Sequence, residues 1–265
     1  MEVEELLHSL AGLFTVKFPS SAILEAKIQS LVDVARSSDG RQRLADADAV
    51  PLILSLSSRL VPSTLGNPIS PQEMRAFILY VKLLRNLCAG NSKNQEEFVS
   101  SERLGDFVPV VRYLAQISCT PDQVMAIEAL QMLLQLLGNA AGLGESSQAK
   151  IWERFFPLAL EDVAKVSNGK VQGTLSMVIF TCCRGSESRC KELSQIRGES
   201  SIMALMLNGG KCSSPFILLI FTYTIYFAFS LSVQNAPPHQ SVAAFLIADR
   251  VISNLFTCNH LLPQG

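Results

Sequence analysis

Nucleophiles and general bases are scarce in this 265-residue sequence, and those present are badly spaced for catalysis. The histidines are His8, His239 and His260, near the chain ends and in unrelated contexts, so no Ser/His/Asp or Cys/His set can be drawn. The seven cysteines are Cys88, Cys119, Cys182, Cys183, Cys190, Cys212 and Cys258, and only Cys182, Cys183 and Cys190 cluster. Three thiols without a fourth ligand fall short of a structural zinc site, and adjacent cysteines on a helix point to different faces, so these read as free thiols in or near a core. Gly209-Gly210-Lys211 ends like a phosphate-binding loop, but that pattern needs Gly where Leu205 stands and Ser or Thr where Cys212 stands. The glycines from Gly138 to Gly144 read as helix C-caps and inter-repeat turns. Asp46-Ala47-Asp48 and Glu96-Glu97 read as solvated helix faces, because no facing acid or ligand is marked by any motif. We therefore expect a non-enzymatic protein without metal or cofactor.

Two asparagines are better placed for binding than for chemistry. Asn86 and Asn139 lie 53 residues apart in related stretches, Leu84-Arg85-Asn86-Leu87-Cys88-Ala89-Gly90 and Leu137-Gly138-Asn139-Ala140-Ala141-Gly142. A primary amide offers a donor and an acceptor, as a peptide unit does. The same side chain can instead cap its own helix beside Gly90 or Gly142 by meeting free carbonyls. Both roles stay open. Arg85 precedes the first asparagine and Gly138 the second, so any row of such residues is irregular.

The elements that must carry these residues are helices. From Glu2 to Gly210 apolar residues recur at helical spacing, as in Ile23, Lys27, Leu31, Val34 and Ala35, or Met125, Ala129, Met132, Leu133 and Leu136. Short polar breaks at Ser37 to Gly40, Gly90 to Ser92 and Gly142 to Ser147 separate them. Three marks then recur with a period near 50 residues. Ser70-Pro71-Gln72-Glu73 and Thr120-Pro121-Asp122-Gln123 have the same capping design, a hydroxyl N-cap, Pro at the first helical position and Glu or Gln three residues on. Gln95 and Gln148 keep the 53-residue spacing, as do Phe98 and Ile151. Val50-Pro51, Val108-Pro109 and Phe156-Pro157 each mark a join between two helices. The marks predict three-helix units over 38–90, 91–142 and 143–185, preceded by a helix over 20–36 and an N-terminal helix, with a fourth unit starting at Ser186 and interrupted near Gly209-Gly210.

This pattern resembles armadillo repeats, and the two asparagine stretches, with Asn94-Gln95, Phe98, Gln148, Ile151-Trp152 and Phe155-Phe156-Pro157, resemble the ataxin-10 family over roughly residues 74–208. The resemblance implies a right-handed, all-α solenoid, cytoplasmic, acting through partner proteins, with links to cytokinesis and cell growth. In armadillo proteins the asparagine near the end of the third helix can line the concave groove, so Arg85, Asn86 and Asn139 form a candidate partner-binding groove. The further C-terminal helical segment of that family has no counterpart here, which leaves open whether this shorter form is functional.

Charge and composition complete the expectation. Net charge is −1, and no Lys/Arg cluster stands on a predicted helix face, so a nucleic-acid partner is not expected. Scattered cysteines suit a cytosolic or nuclear protein, and with no Asn-x-Ser/Thr sequon and an acidic start (Met1-Glu2-Val3-Glu4-Glu5) entry into the secretory pathway is not expected, in line with the cytoplasmic location that the resemblance implies. Composition shifts at Lys211. Residues 1–210 read as the repeat domain and 211–265 as an atypical apolar tail that holds eight of the chain's 19 aromatic residues and, from Cys212 to Ala248, no charge. Residues 215–233 would span about 27 Å as a helix, close to the roughly 30 Å of a bilayer core. Three readings of the tail stand side by side: a membrane anchor, a segment covering the open end of the solenoid, and an alternative terminus not selected to pack.

Overall fold

The structure, a computed structural model, describes residues 3–15, 21–61, 69–119, 124–194 and 202. The described residues form helices and turns and no strand. After α1 (Val3–Thr15) and α2 (Ser21–Val34), the first unit comprises α3 (Ser38–Asp46), a second helix interrupted at Leu56 into α4 (Ala49–Ser55) and α5 (Ser57–Leu60), and a third, α6 (Pro71–Leu87). The second comprises α7 (Ser92–Ser100), a 3-10 turn (Glu102–Asp106), α8 (Phe107–Ser118) and α9 (Val124–Ala141). The third comprises α10 (Glu145–Phe155), α11 (Leu158–Ala164) and α12 (Gly169–Cys183), and α13 (Glu187–Ser194) opens another. The unit boundaries expected from the sequence therefore hold across these residues. The long third helices α6, α9 and α12 lie side by side, with α2 extending the row beyond α6.

Local chemistry explains the helix starts. Ser70 and Glu73 form the expected capping box, with Ser70 Oγ accepting from the Glu73 amide at 3.2 Å and Glu73 accepting from the Ser70 amide at 2.8 Å. Its expected twin, Thr120 to Gln123, lies outside the described residues, as do His239, His260, Gly209 to Lys211 and the tail from 211 to 265. Ser37, Asn91 and Asn168 cap α3, α7 and α12 with side-chain oxygens. Gly40, in the first turn of α3, abuts the end of α2 so closely that a Cβ would stand 1.9 Å from the Val34 carbonyl oxygen. Pro51 and Pro109 fall within the first turns of α4 and α8, where a missing amide costs nothing, and Pro157 lies between α10 and α11.

A single core runs through the stack. At the join between the first and second units, Tyr80 lies parallel to Phe107 at 6.3 Å, and Phe98 tilts against Phe107 at 5.8 Å, all three fully buried. Helix α9 is apolar and long enough to cross a membrane, but it is packed by α6, α8 and α12, which accounts for its composition.

The structure corrects three details of the sequence reading. On α2 the buried face is Ile28, Leu31, Val32 and Ala35, while Ile23 is 51% exposed, so the apolar stripe is rotated from the one expected. Gly142 directly follows α9, as a C-cap should, and the positive-φ glycines at described joins are Gly90, Gly144 and Gly185, at φ 68°, 139° and 83°. Gly138 sits inside α9 and not in a turn, with the Met177 side chain lying over it. Glu97 is not on a solvated face: it is half-buried and burial holds its carboxyl above the usual range.

Candidate functional site

At the α6–α7 and α12–α13 joins, one unit finishes the last helix of the unit before it. An α-helix leaves its last carbonyls without amide donors, and here the first helix of the following unit supplies side-chain donors from seven residues downstream. Asn94 Nδ2 donates to the Leu87 carbonyl at 3.0 Å and Gln95 Nε2 to that of Cys88 at 2.9 Å. Arg189 and Cys190 repeat the pattern on Cys182 and Cys183. Gln95 also donates to the Asn139 carbonyl at 2.8 Å, tying α6, α7 and α9 together. These cross-unit donors are missing from the sequence reading, although the recurrence of Gln95 and Gln148 was their signal. Gln148 does not repeat the role of Gln95: its Oε1 accepts from Arg189.

The exposed sides of the third helices align residue for residue. On α6 the stripe is Arg75, Leu79, Lys82 and Asn86; 53 residues on, α9 carries Glu128, Met132, Gln135 and Asn139; α12 carries Lys170, Thr174, Met177 and Thr181. The structure thus brings Arg85, Asn86 and Asn139 together. Arg85 Nε and Nη2 donate to Asn86 Oδ1 at 3.2 and 2.8 Å, and Nη1 donates to Gln135 Oε1 at 2.9 Å and to Met132 Sδ at 3.4 Å. Asn139 Nδ2 donates to the Arg85 carbonyl at 3.0 Å. Neither asparagine caps its own helix: Asn86 braces Arg85, and Asn139 caps the neighbouring α6. These partners fix the amide orientations, since a guanidinium only donates and a carbonyl only accepts. Asn86 Nδ2 and Asn139 Oδ1 are left without partners among the described residues, one donor and one acceptor on adjacent helices. At the next position Thr181 bonds back to the Met177 carbonyl, so the asparagine row has two rungs.

Charge on this face also needs an amendment to the sequence reading, since Arg75, Lys82 and Arg85 share one side of α6. Arg85 is half-buried, and burial pulls its guanidinium below the usual value.

The candidate reactive groups do not assemble. His8 is exposed on α1. Cys182, Cys183 and Cys190 are buried; burial pushes the Cys182 thiol up to about 12, and a hydrogen bond with Cys190, with burial, holds Cys183 well above the usual thiol range. Asp48 is taken by Lys93 at 2.6 Å and Asp46 by Gln42 at 2.8 Å. A cleft of about 550 Å³ along α8 and α11 has its charges paired, Arg112 and Lys165 both meeting Asp162. In another of about 610 Å³, Trp152 donates to Glu192 and Arg189 forks onto Glu145.

Three-helix units with aligned third helices are also what solved structures of similar fold contain. The chain is similar to a designed armadillo repeat protein over 94% of its length and all of that protein's, at TM-score 0.54 and 13% identity. The fold is an armadillo-like solenoid. An engineered protein of known crystal structure matches at TM-score 0.60 with 12% identity, over 96% of both chains. A designed armadillo repeat protein in complex with the peptide (KR)4 matches at TM-score 0.50 with 13% identity, over 96% of this chain and 99% of that one. No protein-family model matches the sequence, and no curated protein does either.

Proposed function

We propose that this chain is a non-catalytic protein-binding scaffold whose third-helix face holds an extended segment of a partner. One observation carries the reading: the unspent Asn86 donor and Asn139 acceptor face the same side of two adjacent helices. Packed helices lie about 8–10 Å apart, and an extended chain advances about 3.3 Å per residue, so the two amides would meet peptide units about three residues apart. The armadillo-like neighbour in complex with (KR)4 supports a peptide as occupant. The ataxin-10 resemblance of the Asn86 and Asn139 stretches supports a cytoplasmic role in cell division or growth.

The test is selection of random peptides on the full chain, followed by affinity measurements with Asn86→Ala and Asn139→Ala. Each substitution should weaken the selected peptides roughly threefold to tenfold, the worth of one hydrogen bond. Selected peptides indifferent to both would overturn the reading. A second reading, a membrane-anchored adaptor, draws on the uncharged stretch 215–233, which lies outside the described residues. Carbonate-resistant recovery of the full chain in the membrane pellet, abolished by deleting 211–265, would favour it over the soluble scaffold.

A further inference from the structure

The preceding reading leaves open what kind of segment the groove takes, and Arg85 carries an answer. Its guanidinium is half-buried and held in place by Asn86, Gln135 and Met132, all neutral. No described carboxylate lies within ion-pair distance of it. Arg189, by contrast, is held as closely and finds an acid, Glu145, at 2.8 Å. A fixed and partly desolvated charge without a counter-ion is costly unless one arrives with a ligand. Of the five N–H groups of arginine, one hydrogen on Nη2 has no acceptor in these contacts.

The surroundings have the same sign. Lys82 lies one turn before Arg85 on the same stripe, and Arg75 and Lys170 extend it along α6 and onto α12; none of the three pairs with a described carboxylate. Against these cations stand Glu128 on α9 and Glu73, whose carboxylate is engaged in the cap of α6. The face is therefore cationic in a chain whose net charge is −1. Where α6 carries Arg85, α9 carries Gly138 covered by Met177, so the cation is bordered on the α12 side by an apolar surface.

We propose that the third-helix face is a receptor for an extended, acidic segment of another protein, with Arg85 taking an Asp or Glu carboxylate between the Asn86 and Asn139 rungs. This rests on the scaffold reading above and specifies its partner. The chain's own tail has the wrong chemistry, since residues 211–265 contain one carboxylate side chain, Asp249. A nucleic-acid strand fits less well, because a phosphodiester backbone offers acceptors only and leaves Asn139 Oδ1 unmet, whereas a peptide backbone supplies both groups. The occupant is thus opposite in charge to the (KR)4 peptide of the designed neighbour.

The experiment uses random-sequence peptides displayed on phage, selected on the full chain, with fluorescein-labelled copies of the winners measured by anisotropy at low and high salt. The expected result is enrichment of Asp and Glu among peptides that Asn86→Ala or Asn139→Ala weakens. Arg85→Gln should cost these peptides roughly tenfold, as for a charge-assisted hydrogen bond. Lys82→Gln, which breaks no contact within the protein, should cost about twofold to fourfold, and less at high salt. Arg154→Gln, an exposed cation on α10, should cost nothing. Winners that are neutral or basic, or that ignore both Arg85→Gln and Lys82→Gln, would overturn the acidic-partner proposal and leave the scaffold reading intact. Winners insensitive to both asparagine variants would overturn the two together. An oligothymidylate that binds the full chain more tightly than any selected peptide, and loses affinity with Arg85→Gln, would overturn the proposal in favour of nucleic acid.

Discussion

Replacing Gln95 by Met tests the idea that the second unit completes the first. Gln95 is 7% exposed, and its Nε2 bridges the Cys88 carbonyl at 2.9 Å and the Asn139 carbonyl at 2.8 Å. Met has a similar volume and flexibility, so the packing term stays small and the loss is that of the two hydrogen bonds. Each is worth about 0.5–1.5 kcal/mol net. The Asn139 carbonyl keeps the Gly142 amide at 3.2 Å and so is not orphaned, which places the expected destabilisation near the middle of the range, about 2 kcal/mol. For a domain of this size, about 2–4 °C is lost per kcal/mol, so the midpoint should fall by roughly 4–8 °C in thermal unfolding followed by circular dichroism. The urea midpoint should fall with the slope unchanged. Gln148→Met supplies the comparison: Gln148 loses a single, longer bond from Arg189 at 3.2 Å and should cost about half as much. A Gln95→Met protein within about 0.5 kcal/mol of the parent, or one less affected than Gln148→Met, would refute the cross-unit capping argument.

Other substitutions have definite signs. Tyr80 is fully buried and its hydroxyl has no hydrogen-bond partner among the described residues, so Tyr80→Phe should leave urea stability unchanged or raise it by up to about 1 kcal/mol; a clear loss would reveal a partner for the hydroxyl. Gly90→Ala forces a Cβ onto a residue at φ 68°, where space is open but the conformation is not, and should cost about 1–2 kcal/mol by chemical denaturation. The hydrogen bond from Arg189 lowers the Glu145 carboxyl below its usual value, so its contribution is present above the ordinary glutamate range and is lost as pH falls through the lowered value. The stability margin of the parent over Glu145→Gln should therefore be full above about pH 5 and shrink below about pH 4. Because Glu145 is 68% exposed, salt should also reduce it. A margin that grows on acidification would contradict the assigned pairing.

The repeat architecture was legible because its marks are local. Ser70 and Glu73 need only three residues between them to declare a helix start, and polar breaks such as Asn91-Ser92 separate helices in any context. The 53-residue offset between Asn86 and Asn139 carried further than expected, since it also aligns Lys82 with Gln135 and Leu79 with Met132, two of the residues that hold Arg85. What could not be read was direction. Whether Asn139 caps its own helix or its neighbour's depends on how closely α6 and α9 approach, and that distance follows from the packing of residues such as Phe77 and Leu133, not from the sequence around Asn139. Burial of Glu97 and exposure of Ile23 have the same origin, because a small rotation of a helix against its neighbours is below what spacing alone can fix.

The borrowed helix ends have a consequence for synthesis. Among the described residues the Leu87 and Cys88 carbonyls receive side-chain donors from Asn94 and Gln95, and those of Cys182 and Cys183 from Arg189 and Cys190. A chain growing from its N-terminus at about 5–20 residues per second therefore completes one unit only after the first turn of the next has emerged. At these two joins the nascent protein carries an unfinished helix end until the opening turn of the next unit seals it.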